Sequence, residues 1–227
     1  ERPVRIDPRR SRQLNRTIIL QLLREHGPLS GYDVAKRTGL SRTAAYNVMD
    51  ELVAAGLVQE RLGRSRGGRR PVLYQLRAEA GFVIGVDLGG TRIRAEAFSL
   101  REESVAVSEV PVTGGGEGSV LGSVVEAVTN VGGPLPGPVL GLGVAAPGLV
   151  DAVEGRVLQA AHLGWYDLPL AQMLNARFGW PVIVENDTNA AALAETRFGA
   201  GRGHRHVVYV RAGTGIGAGL GLDGQLY

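Results

Sequence analysis

The sequence predicts an α/β body preceded by a small α+β module. Three observations carry that expectation. Charge changes sign near residue 80: residues 1–80 hold 16 Lys and Arg against 8 Asp and Glu, a net +8, whereas residues 81–227 hold 9 against 14, a net −5. Glycine changes with it, 7 of the 34 falling before residue 80 and 27 after. Apolar residues recur at helical spacing in the first part, and in the second they form short runs that end in Gly-rich turns. Two domains are therefore expected, 1–80 and 81–227.

At 227 residues and 44% hydrophobic content the chain is long enough to bury a real core. It contains no cysteine, which excludes disulfides and thiolate–metal sites within these residues. No apolar stretch is long enough to cross a bilayer and no signal-peptide pattern opens the chain, so a cytoplasmic protein without a membrane partner is expected.

In the basic part, Leu14, Ile18, Ile19, Leu22 and Leu23 mark a first helix that stops at His26-Gly27-Pro28. Ser30 suits the N-cap of a short helix over 31–38, with Val34 and Ala35 inward and Gly39 as its C-terminal stop. Ser41 caps a third helix whose apolar stripe is Val48, Met49, Leu52 and Val53, ended by Gly56. Three such helices with a tight Gly turn before the third make a helix-turn-helix, the third being the recognition helix. Arg42, Thr43, Tyr46 and Asn47 lie off the apolar stripe, where Arg suits guanine, Asn suits adenine, and Thr or Tyr suits a phosphate or a thymine methyl.

Strands over 57–61 and 72–76 flank LGRSRGGRRP, a hairpin tip that holds Arg64, Arg66, Arg69 and Arg70. Arginines on a glycine-rich tip suit a narrow, negative minor groove, so this hairpin reads as a wing. A run of arginines alone is more often a solvated face; the trihelix followed by the hairpin is the tighter constellation. The expected partner is double-stranded DNA. Residues 77–84 form a short link into the next strand.

In the second part, strands are expected at 82–86, 93–98, 105–110, 139–144, 181–185 and 207–211, and helices at 119–131, 168–178 and 188–198. Asp87 precedes a possible anion-binding hairpin at Gly89, Gly90 and Thr91, and Gly213, Thr214 and Gly215 form a second one. Neither is specific alone. The sharpest stretch is VENDTNAAALAETRFG at 184–199, a strand end, a polar tip and an Ala-rich helix. Ligands of open α/β sheets sit at such strand ends. Asn186 supplies a two-way amide and Asp187 a carboxylate, a pair suited to gripping and deprotonating a hydroxyl. Asp187 also suits a plain helix cap.

The motifs DLGGTRI at 87–93, AAPGLVD at 145–151, HLGWYDLPL at 162–170, ENDTNAAALAE at 185–195 and AGTGIGAGL at 212–220 resemble, in order and spacing, the ROK family of repressors and sugar kinases. The helix-turn-helix ahead of them resembles the family's transcription-regulator branch. The resemblance implies an actin-like (ribonuclease H-like) fold of two lobes with a sugar in the cleft. Asn186, Asp187 and Gly148 would contact the sugar, Asp187 being the base in members that phosphorylate it, and the hairpins at 89–92 and 213–215 would match nucleotide phosphate loops. Arg92 departs from the Lys common in the kinases, and His162 from the usual Asn or Lys; a lone His reads as a satisfied loop residue. Because the chain starts without Met and stops at Tyr227, just inside the second lobe, it reads as a fragment. The family's Glu-x-Gly-His contacts and zinc cluster would lie beyond that point, so no metal site is expected here. A half-cleft is expected to hold sugar poorly.

The function expected is a sugar-responsive, DNA-binding transcriptional regulator, a repressor, acting as a homodimer with a small sugar effector. The alternative is a sugar kinase using ATP and Mg, with Asp187 as its catalytic residue.

Overall fold

The structure is a computed structural model of the chain, describing residues 8–64, 70–112, 117–213 and 215–227. It divides into two compact units, Glu1–Gly81 with Ser99–Glu103, and Phe82–Phe98 with Ser104–Tyr227.

The first unit holds α1 (Pro8–His26), α2 (Gly31–Thr38) and α3 (Arg42–Ala54), with β1 (Leu29–Ser30), β2 (Val58–Leu62) and β3 (Val72–Leu76). The predicted caps are present. Ser30 Oγ accepts from Asp33 N at 3.2 Å and donates to Asp33 Oδ2 at 2.6 Å, while Ser41 Oγ accepts from Ala44 N at 3.2 Å. Gly39 closes α2 in the left-handed region at φ 72°, where a side chain would be strained. Ile19, Val34, Ala45, Met49 and Leu52 are fully buried in one core. Each large side chain among them contributes on the order of 1.5–3 kcal/mol through area removed from water.

The hairpin β2–β3 pairs Val58 with Leu76 through Leu62 with Val72, and Gly63 N donates to Pro71 O at 2.8 Å beyond it. β1, which the sequence reading left out, pairs antiparallel with β3, giving the sheet order β1-β3-β2. Two residues are too few for a period-2 signal, and Ser30 was legible only as a cap.

Tyr74 on β3 is buried opposite Glu60. Burial first, then the neighbouring Glu60 carboxylate, push its phenol up from 10.0 to about 12. A raised folded pKa leaves stability intact below the unfolded value and removes it as pH climbs through the folded one. The first unit is therefore expected to weaken between pH 10 and about 12. Urea melts at about pH 9 and about pH 11 check this: Tyr74→Phe, which cannot ionise, should lose less of its midpoint than wild type.

The second unit is built on a five-stranded sheet in the order β11-β7-β4-β5-β6. Its strands are β4 (Phe82–Leu88), β5 (Arg92–Ser99), β6 (Ser104–Pro111), β7 (Val139–Ala146) and β11 (Val182–Asn186). β4, β7 and β11 are parallel, and β5 and β6 form an antiparallel pair. Alternation decides which face is covered. Ile84, Val86, Leu142, Val144 and Val184 are buried in one cluster with Val124 and Val128 of α4 (Glu117–Gly132) and Leu170 and Leu174 of α5 (Leu170–Phe178). On the other face Val83, Asp87 and Ile183 are exposed. A groove of about 350 Å³ lies there over Gly85 and Gly143, with Glu96 and Glu185 at its walls.

Residues 149–168 carry a three-stranded meander the sequence reading did not assign: β8 (Leu149–Asp151), β9 (Arg156–Ala160) and β10 (Trp165–Leu168), ordered β10-β9-β8. Strands this short, interrupted by Gly155 and Gly164, leave little periodicity to read. After α6 (Asp187–Arg197), β12 (His206–Ala212), β13 (Ile216–Leu222) and β14 (Gln225–Leu226) form an antiparallel sheet in sequence order. Val208, Val210, Leu220 and Leu222 are exposed on it. Among the described residues no helix is long and apolar enough to cross a membrane, and no cluster of three or more His, Asp or Glu could hold a metal ion.

Candidate functional site

In the first unit, burial of Ala45, Val48, Met49 and Leu52 leaves Arg42, Thr43, Tyr46 and Asn47 exposed on the N-terminal half of α3. The expected reading face is thus solvent-facing. Two of its members already have structural work. The Arg42 guanidinium lies 5.2 Å from the centroid of the Tyr32 ring, a cation–π contact that orients it. The Tyr46 ring meets Tyr74 edge-on at 6.4 Å and lies against Gly31, where a Cβ would come within 2.4 Å of it. Tyr46 therefore helps seat α3 on α2 and β3, which the sequence reading did not anticipate. Thr43 and Asn47 are the least committed. Arg12 of α1 is ion-paired with Glu51 of α3. Of the wing arginines, Arg64 and Arg70 are exposed, whereas Arg66 and Arg69 lie outside the described residues.

In the second unit, register brings three distant motifs to one end of the sheet. Asp87 is aligned with Ala145, Ala145 with Glu185, and Ala146 with Asn186. The parallel strands β4, β7 and β11 thus release their next residues, Gly89-Gly90-Thr91, Pro147-Gly148 and Asp187, at the same edge, where α6 begins. The positive end of the helix dipole lies there, with the first-turn N–H groups of Thr188 and Asn189 taken by the Asn186 side chain.

Asn186, not Asp187, is the N-cap. Its Oδ1 accepts from Thr188 N at 3.0 Å and Asn189 N at 3.1 Å, and its Nδ2 donates to Gly148 O at 2.9 Å. The amide predicted to contact a sugar therefore uses its oxygen and one of its two N–H donors to tie α6 to the loop after β7, leaving the second N–H for a ligand. That corrects the reading of Asp187 as the cap. Glu185 supports the turn, its Oε1 accepting from Asn186 N at 2.8 Å and Asn189 Nδ2 at 3.1 Å. Gly148 has φ 87°, and a Cβ there would fall 2.1 Å from Gln159 O, so its place is fixed by β9 as well as by any ligand.

Asp187, one-fifth exposed, points Oδ1 at Thr188 N at 2.8 Å. Its Oδ2 accepts from Arg211 Nη1 at 2.7 Å. Arg211 was not singled out in the sequence; it stands directly before Ala212-Gly213 at the end of β12, which places it opposite the start of α6. A cation that can meet a carboxylate 24 residues earlier leaves no local signal.

The glycine hairpins divide. A Cβ on Gly89 would lie 2.6 Å from Arg92 O, so the 89–92 turn needs glycine for its own closure; Gly90 lies near His162, and Thr91 is exposed. Asp87 lies within β4, lining the groove on the sheet face. Arg92 reaches Glu109 at 3.5 Å, both exposed. In AGTGIGAGL the structural demand falls after the predicted turn. Gly213 and Gly215 have open space around them, and Thr214 lies outside the described residues. A Cβ on Gly217 would come 2.5 Å from Thr188 Oγ1, and one on Gly219 would come 2.6 Å from Ala192 Cβ. These alternate glycines make the flat surface on which α6 lies. Along the groove, the Ser104 hydroxyl first and the Arg94 guanidinium second hold the Glu96 carboxyl below its ordinary range.

Fold and site together define a class: a helix-turn-helix module joined to an actin-type, sugar-kinase-like α/β unit. The chain belongs to the ROK family, which it matches over residues 83–227. Residues 18–77 match the sugar-specific transcriptional regulator TrmB. The xylose repressor of Caldicellulosiruptor bescii is 30% identical over 221 residues, covering 95% of this chain and 55% of that protein. A crystal structure described as a ROK family transcriptional regulator, homologue of the E. coli MLC protein, superposes with a TM-score of 0.77 at 26% identity, covering 96% of this chain and 56% of that one. A ROK glucokinase from Streptomyces griseus, in complex with glucose and AMPPNP, is 35% identical with a TM-score of 0.60, over 65% of this chain and 46% of that one. The chain spans about half the length of these relatives.

Proposed function

We propose that the protein is a sugar-responsive transcriptional repressor. In this reading α3 enters the major groove, the wing arginines Arg64, Arg66, Arg69 and Arg70 take the minor groove, and a small sugar binds at the strand ends around Asn186, Asp187 and Gly148. Two copies, acting in the cytoplasm, place their recognition helices on half-sites about one helical turn apart. The sugar favours an arrangement of the pair that no longer matches them.

The observation that carries the reading is the exposed polar face of α3, presented by a core that buries Ala45, Val48, Met49 and Leu52 beneath it. The likeness to xylose repressors over 95% of the chain supports it. The kinase alternative is less well supported: Asp187 is present, but the oxygen a base would use is paired with Arg211, and the glycines after 215 pack a helix.

Salt-dependent binding to promoter DNA tests the proposal. Affinity should fall steeply from about 50 to about 200 mM salt, because phosphate contacts release counterions. Asn47→Ala should cost about 1–3 kcal/mol on the preferred site and little on random duplex. Salt-indifferent binding, or an equal loss on both duplexes, would contradict base reading by α3.

A further inference from the structure

We propose that Arg211 is a competitor built into the sugar site: its guanidinium holds the Asp187 oxygen that a sugar hydroxyl would take, so effector binding and the Asp187–Arg211 ion pair exclude one another. The proposal rests on the reading of Asn186 and Asp187 as sugar contacts. It names the group that sets how tightly, and under which conditions, that site accepts a neutral ligand.

The polar groups around the α6 N-terminus leave few open valences. Asn186 Oδ1 serves two backbone N–H groups, and its Nδ2 serves Gly148 O. Asp187 Oδ1 faces back to Thr188, accepting from N at 2.8 Å and Oγ1 at 3.3 Å. Oδ2 is the oxygen that Thr188 leaves, and it is the one Arg211 takes at 2.7 Å. The two partners differ in exposure. The Asp187 side chain is 19% exposed and fixed by its neighbours, whereas Arg211 is 51% exposed on a long side chain at the end of an edge strand. Displacement therefore moves the arginine, not the carboxylate.

Displacement also has a structural consequence. Arg211 belongs to β12 and Asp187 to α6, so the pair ties the β12–β14 sheet to the polar tip after β11. A hydroxyl that takes Oδ2 releases that tie. The same occupancy opposes phosphoryl transfer, because a hydroxyl proton bound for Oδ2 meets an N–H already donated there. Arg211 acts through Asp187 and is in this sense a positioning residue.

A partly exposed ion pair is worth about 1 kcal/mol and is screened by salt, which corresponds to about fivefold in affinity. A neutral sugar has no charge of its own to screen, so a salt response of its binding reports the pair. The test is calorimetric titration at low and high salt of the tightest binder from a panel of aldoses and N-acetyl sugars. Wild type is compared with Arg211→Gln, Arg211→Lys and Asp187→Asn, with thermal melts of each.

Wild-type affinity should rise with salt. Arg211→Gln should bind about fivefold tighter at low salt and lose the salt response. Arg211→Lys should keep it, Asp187→Asn should lose binding, and the melting midpoint of Arg211→Gln should fall by no more than about 4 °C, the loss of one partly exposed pair. Sugar binding that ignores salt and residue 211 would overturn this proposal alone. Absence of binding to any sugar by wild type and Arg211→Gln alike would overturn it together with the sugar-site reading.

Discussion

Gly219→Val is expected to destabilise the second unit by roughly 3 kcal/mol, the upper end for overpacking a close contact. The first carbon of any side chain there would fall 2.6 Å from Ala192 Cβ and 2.7 Å from Thr188 O. The second of these is helix backbone, which cannot rotate aside, so α6 must lift from β13. Because Thr188 directly follows Asp187, lifting the helix also disturbs the strand-end site. The melting midpoint should fall by on the order of 5–10 °C for a unit of this size. Gly143→Ala is the control: it lies in β7 with nothing within 4 Å of a new Cβ, and it should melt close to wild type. Equal midpoints for Gly219→Val and wild type would refute the packing role given to these glycines.

Asn186→Ala should lower stability by about 1–2 kcal/mol and abolish sugar binding. Loss of a cap that serves two N–H groups accounts for most of the stability change. The broken bond to Gly148 O removes the tie between the α6 tip and the loop after β7. Asn186→Asp separates these effects. A carboxylate still caps, and the helix dipole favours it, so stability should return toward wild type. It cannot donate to Gly148 O, and it sets negative charge against that carbonyl, so sugar affinity should stay lost. Thermal melts and calorimetric titration of both variants check the pair of outcomes; recovery of sugar binding in Asn186→Asp would mean the Gly148 tie is irrelevant to the site.

Much of the architecture was legible because its signals are local. Ser30, Gly39 and Ser41 mark helix ends by their own chemistry, and β3 runs over the 72–76 predicted for it. The parallel strands were visible as apolar runs over 82–86, 139–144 and 181–185, each end within two residues of Phe82–Leu88, Val139–Ala146 and Val182–Asn186. What stayed hidden depends on partners far away in sequence. The two-residue β1 exists only because β3 lies beside it. The meander at 149–168 is held by cross-strand pairs rather than by periodicity.

The site divides in the same way. Asn186 and Asp187 were visible as residue types, but their division of labour was not, since capping depends on backbone geometry at 186. Tyr46 looked like a reading residue because its offset from the apolar stripe is all a sequence shows; its seat on Gly31 requires α2 to be placed first. The glycines of 212–220 suggested a phosphate loop because a flexible turn and a flat packing surface have the same composition. Arg211 had no motif of its own, and only the approach of β12 to α6 gives it meaning.

The most direct test of the account measures DNA affinity with and without a saturating sugar, the one bound most tightly in calorimetric titration. Wild type should bind its promoter duplex more weakly by a factor of about 5–150 when the sugar is present, the usual range of coupling between two sites. Asp187→Asn should bind DNA normally and ignore the sugar. A wild-type protein that holds both ligands at once with unchanged affinity for DNA would contradict the claim that the two units form one switch.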